Sequence, residues 1–404
     1  MLSKYKKLIM LACVLTLIGC SNQRYNNEVQ LLDERHAKNE EATPEVEKNG
    51  KRIGILTSGG DCSGLNSIIY AVYQKAKKLG YDVVGFKYGV HGVIHNQYIV
   101  LDDKICNTDI LQKSGTILKS NTKVLVGTNG KLLSKSEADY EIIKRYHDMK
   151  LDGLIYIGGN GSIGAIKNIL KKDPTLNIIG VPKTIDNDIA HTDAAVGFAT
   201  VTEVVSEAID NIASTAQSHE RVFVVEVMGR DAGYIALTSG LATGADAILI
   251  PENKYDTDKL IEQIKKAYAK KKYAIVVVSE SVESEEMKHK ANKLSDALSR
   301  RAYGGIAKVI STKLKQAGLD SKSVILGHIQ RGGKTSVVDR VLGQKLGVKA
   351  VKLINAKDCG YLLGYHNHKV IKTKMNDIKT TTRSLSSNDD DIKLANDLGI
   401  YIGN

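Results

Sequence analysis

The chain has 404 residues, 42% hydrophobic and 25% charged, with 36 Gly, 4 Pro, no Trp and a formal net charge of +12. That length sets an expectation of two or three domains and excludes a small disulfide scaffold, a collagen-like chain and a wholly disordered one. The positive balance suits anionic partners, but the lysines are spread along the chain rather than clustered with aromatics, which favours anionic metabolites over nucleic acid.

No apolar run reaches the roughly 18–20 residues of a secure membrane span, which excludes a polytopic membrane protein. Cys13, Cys20, Cys62, Cys106 and Cys359 are scattered without a CxxC pair, so neither a zinc site nor a disulfide framework is implied. Residues 1–20 read as a targeting segment, with Lys4, Lys6 and Lys7 ahead of the apolar stretch Leu8 to Ile18. It ends Leu17-Ile18-Gly19-Cys20, which resembles the bacterial lipobox, where the cysteine would be lipidated. A mis-set start or a vestigial extension is the alternative. Residues 21–50 are polar and without period, and read as a flexible tether.

From Lys51 the pattern becomes strand, turn, helix. Strands are predicted at 52–57, 82–86, 153–157, 178–181, 222–227, 247–250, 274–278 and 324–326. Helical stretches lie between most of them, among them 65–78, 199–215 and 259–270. Buried apolar strands alternating with helices indicate an α/β fold with mostly parallel sheets, divided at this length into two lobes. Residues 281–302 are charged and helix-prone without nameable chemistry. The stretch from about Lys374, with its acidic run Asp389-Asp390-Asp391, reads as a surface tail.

Three turns after strands could carry chemistry, because an α/β sheet places its ligands there. Ser58-Gly59-Gly60-Asp61 and Gly158-Gly159-Asn160-Gly161-Ser162 could each let backbone N–H groups meet a phosphate at a helix N-terminus. Each could equally be a structural turn. Neither is a Walker A loop, and Gly333-Lys334-Thr335 lacks the leading glycine, its place being His328. The third turn is Pro182-Lys183-Thr184-Ile185-Asp186-Asn187-Asp188. Two carboxylates two residues apart can divide labour, one taking a proton and the other fixing geometry or a metal. Taken alone, such a pair more often caps a turn.

These segments, with Val225-Glu226-Val227-Met228-Gly229-Arg230 and Gly327-His328-Ile329-Gln330-Arg331-Gly332-Gly333, resemble the phosphofructokinase family in type and order. The resemblance runs from about Lys51 to about Leu363, roughly three quarters of the chain. It implies two similar three-layer α/β lobes with the active site in the cleft between them, usually in a homotetramer. By matching motif, Asp186 resembles the general base for the sugar C1 hydroxyl and Asp188 the second catalytic carboxylate, near the metal. Thr184 would touch the transferred phosphoryl group and Arg230 would stabilise its charge. Arg221 resembles a sugar-phosphate arginine donated by a neighbouring subunit. Met228, Gly229, Glu280, His328 and Arg331 resemble the remaining fructose 6-phosphate contacts, with Lys322 in place of another arginine. For His328 alone, a core histidine would be the plainer reading.

The donor side departs from the family pattern. Gly59, Gly60, Gly159 and Ser162 keep the phosphate turns, but the magnesium aspartate is replaced by Asn160, which keeps a carbonyl ligand for the metal and loses a charge. Gly161 resembles the ATP users, since pyrophosphate users carry Asp there, whereas Lys183 resembles the pyrophosphate users and some ATP-dependent branches. An arginine that contacts the nucleotide is Thr122 here, with Lys123 beside it as a less fork-like substitute. The aromatic that stacks on adenine is absent near Gly89-Val90, and the effector-site arginines align with Tyr70 and Gln74.

The resemblance therefore implies a 6-phosphofructokinase that uses ATP and Mg2+, is homo-oligomeric, and works in the cytoplasm with no nucleic acid partner. Pyrophosphate as donor is one alternative. A catalytically silent sugar-phosphate-binding protein, lipid-anchored through Cys20, is the other. The NAD and lipid kinases share only the glycine turn and lack the Gly327–Gly333 segment. The domain reading is a signal-like segment at 1–20, a tether at 21–50, an interleaved core at 51–373 and a tail at 374–404.

Overall fold

The computed structural model describes residues 50–122, 125–283 and 304–403. The signal-like segment, nearly all of the tether, Lys123 and most of the charged 281–302 segment lie outside the described residues. Eleven strands are found among those described: β1 (Lys51–Thr57), β2 (Tyr81–Phe86), β3 (Tyr98–Val100), β4 (Gly153–Gly158), β5 (Ile178–Pro182), β6 (Val222–Val227), β7 (Ala247–Leu249), β8 (Ala274–Ser279), β9 (Ser321–Ile325), β10 (Tyr361–His366) and β11 (Lys369–Lys374). The helices are α1 (Leu65–Lys77), α2 (Val90–Ile94), α3 (Lys135–Asp148), α4 (Asn160–Lys172), α5 (Phe198–Ser218), α6 (Tyr234–Ala242), α7 (Thr257–Lys271), α8 (Ile306–Gln316), α9 (Val337–Asn355) and α10 (Asp390–Asp397).

The strands form two sheets. The first runs β11-β10-β5-β4-β1-β2-β3, and the second runs β7-β8-β6-β9. Pairing is parallel throughout the second sheet and in the centre of the first, where only β3 and β11 join antiparallel. The central strands β4, β5 and β8 are buried at every position, as expected of parallel strands covered on both faces. The lobes thus share an architecture but differ in size, seven strands against four.

The chain crosses between lobes more than once. After β9 in the second sheet it returns as α9, which lies along α1 of the first lobe. Gly343 and Gly347 permit that close approach, since a Cβ at Gly347 would lie 2.7 Å from the Ile68 carbonyl oxygen. Asp339, fully buried in the first turn of α9, accepts hydrogen bonds from the backbone N–H of Gly197 and Thr200 (both 2.8 Å) and from the Thr200 hydroxyl (2.6 Å). It thereby serves the N-terminus of α5, which has no side-chain cap of its own.

Three segments differ from the sequence reading. Strand β3 and the β10–β11 hairpin were absent from it. β3 is three residues long at a sheet edge, and β11 has three lysines among its six residues and no buried position. The surface-tail reading of residues 374–404 is corrected. Met375, Ile378, Leu385, Ile392, Ala395, Ile400 and Ile402 are buried, α10 packs on α6, and Ile248 N–H donates to the Tyr401 carbonyl at 2.8 Å. These apolar residues follow no single period, which hid them. The acidic run proves to be a helix start: Asp389 accepts from Asp391 N–H at 3.0 Å, and acids suit a helix N-terminus.

Candidate active site

The two glycine turns, the Pro182–Asp188 turn and the segments ending at Arg230 and Gly333 each lie at or just after the carboxyl end of a strand, where open α/β sheets place their ligands. One cleft brings residues of all five together. Its floor and walls from the first lobe include Gly59, Gly60, Gly159, Asn160, Gly161 and Ser162. Lys183, Thr184, Asp186 and Asp188 line it from the loop after β5, while Arg230 and Arg331 reach in after β6 and β9. Asp61 and Ile185 line it too, although the sequence reading gave them no role.

The carboxylates sit in a nearly dry environment. Asp186 is 5% exposed and Asp188 8%. Burial first, and the neighbouring Asp188 charge second, push the Asp186 carboxyl up from 3.8 to about 6, while Arg230 and Arg331 pull the other way. The Thr184 hydroxyl accepts from Asp186 N–H at 3.1 Å and lies 3.4 Å from Asp186 Oδ2, which fixes the acid's rotamer. Oδ1 of Asp186 is buried without a hydrogen-bond partner. Asn187 between the two acids adopts a left-handed φ of 52°, and its side chain ties the loop to Asp193 O and Ala195 N. Asparagine is one of the few residues that enters this region readily, and the loop so formed presents both acids to the cleft.

On the donor side, α4 begins at Asn160 with no side-chain cap, so its N-terminus opens on the cleft. Asn160 directs its amide nitrogen at Asp188, donating to Oδ2 at 3.0 Å and to the carbonyl at 3.2 Å. It therefore acts in this geometry as a holder of Asp188. Lys183 is buried and donates from Nζ to the Gly60 carbonyl at 2.5 Å, and burial lowers its pKa. Arg331 Nη1 donates to the Asp61 carbonyl at 2.8 Å, and a Cβ on Gly60 would sit 2.5 Å from that same nitrogen. Glycine at 60 is thus what lets a guanidinium lie against the turn. A Cβ on Gly161 would meet nothing within 4 Å, leaving open space beside the helix start.

The other motif residues take several positions. Arg230 Nε is 3.7 Å from Asp186 Oδ2, and its backbone N–H donates to Glu280 at 3.2 Å. Gly229, before it, has a φ of 147°, and a Cβ there would lie 2.5 Å from the Ala232 carbonyl oxygen. Met228 N–H donates to the buried Gln330 side chain at 3.1 Å, and Gln330 in turn donates to the Gly327 carbonyl at 2.9 Å. Gln330 was missed as a single residue, although it lies inside a recognised motif; it joins the segments after β6 and β9. His328 is exposed.

Arg221 and Lys322 are not brought to this cleft. They stand at the opposite end of the second sheet, Arg221 just before β6 and Lys322 near the start of its neighbour β9, and Arg221 pairs with Asp320 at 2.6 Å. Strand rise alone separates Arg221 from Val227 by about 20 Å.

The phosphofructokinase family profile matches residues 52–354. The chain is similar, at 39% identity over 364 residues, to the ATP-dependent 6-phosphofructokinase 2 of Clostridium perfringens, covering 87% of this chain and 98% of that protein. It is 38% identical over 338 residues to the pyrophosphate–fructose 6-phosphate 1-phosphotransferase of Dictyoglomus thermophilum, covering 83% of this chain and 95% of that one. Among solved structures, phosphofructokinase from Saccharomyces cerevisiae matches with a TM-score of 0.69 and 28% identity, over 81% of this chain and 45% of that one.

Proposed function

We propose, given that the chain belongs to the phosphofructokinase family, that it is a 6-phosphofructokinase which transfers a phosphoryl group to the C1 hydroxyl of fructose 6-phosphate. The observation that carries this is the Asp186–Arg230 pair across the cleft: a buried base facing an exposed cation. Phosphoryl transfer asks the protein mainly for positioning and for charge stabilisation. Asp186, with its carboxyl at about 6, is ionised at neutral pH yet close enough to it to be an effective proton acceptor. Thr184 holds it, and Arg230 has the exposed reach to meet the phosphoryl oxygens.

Magnesium fits these residues. Asp186 has an unpartnered buried oxygen and Asp188 lies beside it, a hard-oxygen set of the kind Mg2+ uses together with substrate phosphate and water. Asp188 would hold the ion, kept in place by the Asn160 amide. When bound, the ion would neutralise charge on the phosphates.

ATP is the proposed donor. The open space at Gly161 leaves room for a nucleotide, and the Clostridium relative is named as ATP-dependent. Pyrophosphate is the second reading, favoured by the buried Lys183 ammonium beneath the first glycine turn. Turnover with each donor separately, on the full chain with Mg2+ and fructose 6-phosphate, decides between them. Bound sugar phosphate without turnover would favour the silent binding protein.

The placement of Arg221 and Lys322 away from their own chain's cleft suits a homo-oligomer, as does the exposed apolar group Ile329, Val337, Val338 and Val341. Light scattering tests for the tetramer. Among the described residues no helix is long and apolar enough to cross a membrane. The cytosolic supply of fructose 6-phosphate and ATP favours a cytoplasmic enzyme; palmitate labelling of Cys20 with recovery in the membrane fraction would overturn that reading.

A further inference from the structure

The segment that follows β11 passes over the catalytic loop and then onto the second lobe. Arg383 N–H donates to the Asp188 carbonyl at 2.8 Å. Its guanidinium donates from Nη1 to the Thr192 carbonyl, in the same loop, and from Nε to the Tyr234 hydroxyl at 2.8 Å. The guanidinium carbon also lies 4.7 Å from the centroid of the Tyr234 ring. Tyr234 opens α6, four residues after Arg230. Two residues beyond Arg383, Leu385 N–H donates to Glu252 Oε1 at 3.1 Å, and that oxygen also accepts from Gly233 N–H at 3.0 Å.

From this arrangement we infer that Arg383 is a positioning residue: it spans the loop that carries Asp186 and Asp188 and the segment that carries Arg230, and so sets the distance between base and cation across the cleft. The guanidinium suits this task, because a planar fork can serve two acceptors on different segments while stacking on a ring. A lysine could keep the ring contact and one hydrogen bond, not both bonds.

The inference rests on the proposed roles of Asp186 and Arg230. In the full-length protein, Arg383→Met is expected to lower kcat about 10- to 100-fold, as a slight misplacement of reacting groups does. The KM for fructose 6-phosphate should stay within about threefold, because the sugar contacts are left in place. Arg383→Lys is expected to recover part of the loss. The split between a lowered kcat and a kept KM is the readout that a merely structural role would not give. Tyr234→Phe removes the shared hydroxyl and should shift kcat the same way, non-additively with Arg383→Met.

Wild-type kcat in folded Arg383→Met would overturn the inference. So would a loss of thermal stability with kcat unchanged per folded molecule. Asp186→Asn, run alongside, separates the two claims: full activity there would refute the role of the base itself, whatever Arg383 does.

Discussion

Arg230 Nε and Asp186 Oδ2 face each other at 3.7 Å, with the arginine side chain 59% exposed and the acid 7%. The distance is too long for a hydrogen bond, so the pair is not locked. The arginine comes from the second lobe and the acid from the first, so the relationship exists only when both sheets are in place. An exposed cation beside a buried base lowers the base's pKa moderately while remaining available to an incoming phosphoryl group.

Replacing the base should separate activity from stability. Asp186→Asn is expected to lower kcat about 10²- to 10⁴-fold. The folded chain raises this carboxyl from 3.8 to about 6, so it binds the proton more tightly than the unfolded chain does. Stability from this group therefore falls as pH rises from about 4 to 6, and at pH 7 the ionised acid opposes folding by about 2–3 kcal/mol. The variant should melt above the wild type at pH 7 and lose that advantage near pH 4. Thermal unfolding at both pH values checks it.

The same burial sets the pH profile. kcat/KM is expected to fall below about pH 6, where Asp186 takes up its proton. An acid limb near the ordinary aspartate value would show that Asp186 is not desolvated in the working enzyme.

Gly161 is the position to change for donor choice. An aspartate side chain has open space there, so the fold should tolerate it. Its charge would lie at the cleft wall, against the donor phosphates and nucleotide. Gly161→Asp is expected to reduce ATP-dependent turnover at least about tenfold while leaving the KM for fructose 6-phosphate near wild type. Paired assays at saturating sugar phosphate measure this.

Much of this site was legible because its residues are neighbours in sequence. Lys183, Thr184, Asp186 and Asp188 sit in one turn after one strand, and the strand itself was readable as a short apolar run. What joins the lobes was not legible. Arg383 contacts residues 149 and 191 positions away, and nothing in its own polar surroundings marks it. Gln330 and Asn160 likewise show their part only in space, one linking two motif segments and the other directing an amide at Asp188. Edge strands β3 and β11 escaped because one is very short and the other is largely solvated.

Asp339 offers a test of the scaffold alone. It is fully buried and serves three donors at the start of α5. Asp339→Ala leaves them unsatisfied, and a loss of about 3 kcal/mol is expected by denaturant titration. The kcat of the remaining folded enzyme should stay near wild type, since Asp339 is not among the cleft-lining residues.

The central claim is tested most directly by a donor-swap assay. The full chain receives Mg2+, fructose 6-phosphate and either ATP or pyrophosphate, with Asp186→Asn as the blank. Formation of fructose 1,6-bisphosphate with ATP, lowered at least about 100-fold in the blank, is the result the proposed chemistry requires. Turnover in Asp186→Asn near the wild-type rate, or sugar-phosphate binding without turnover from either donor, would contradict it.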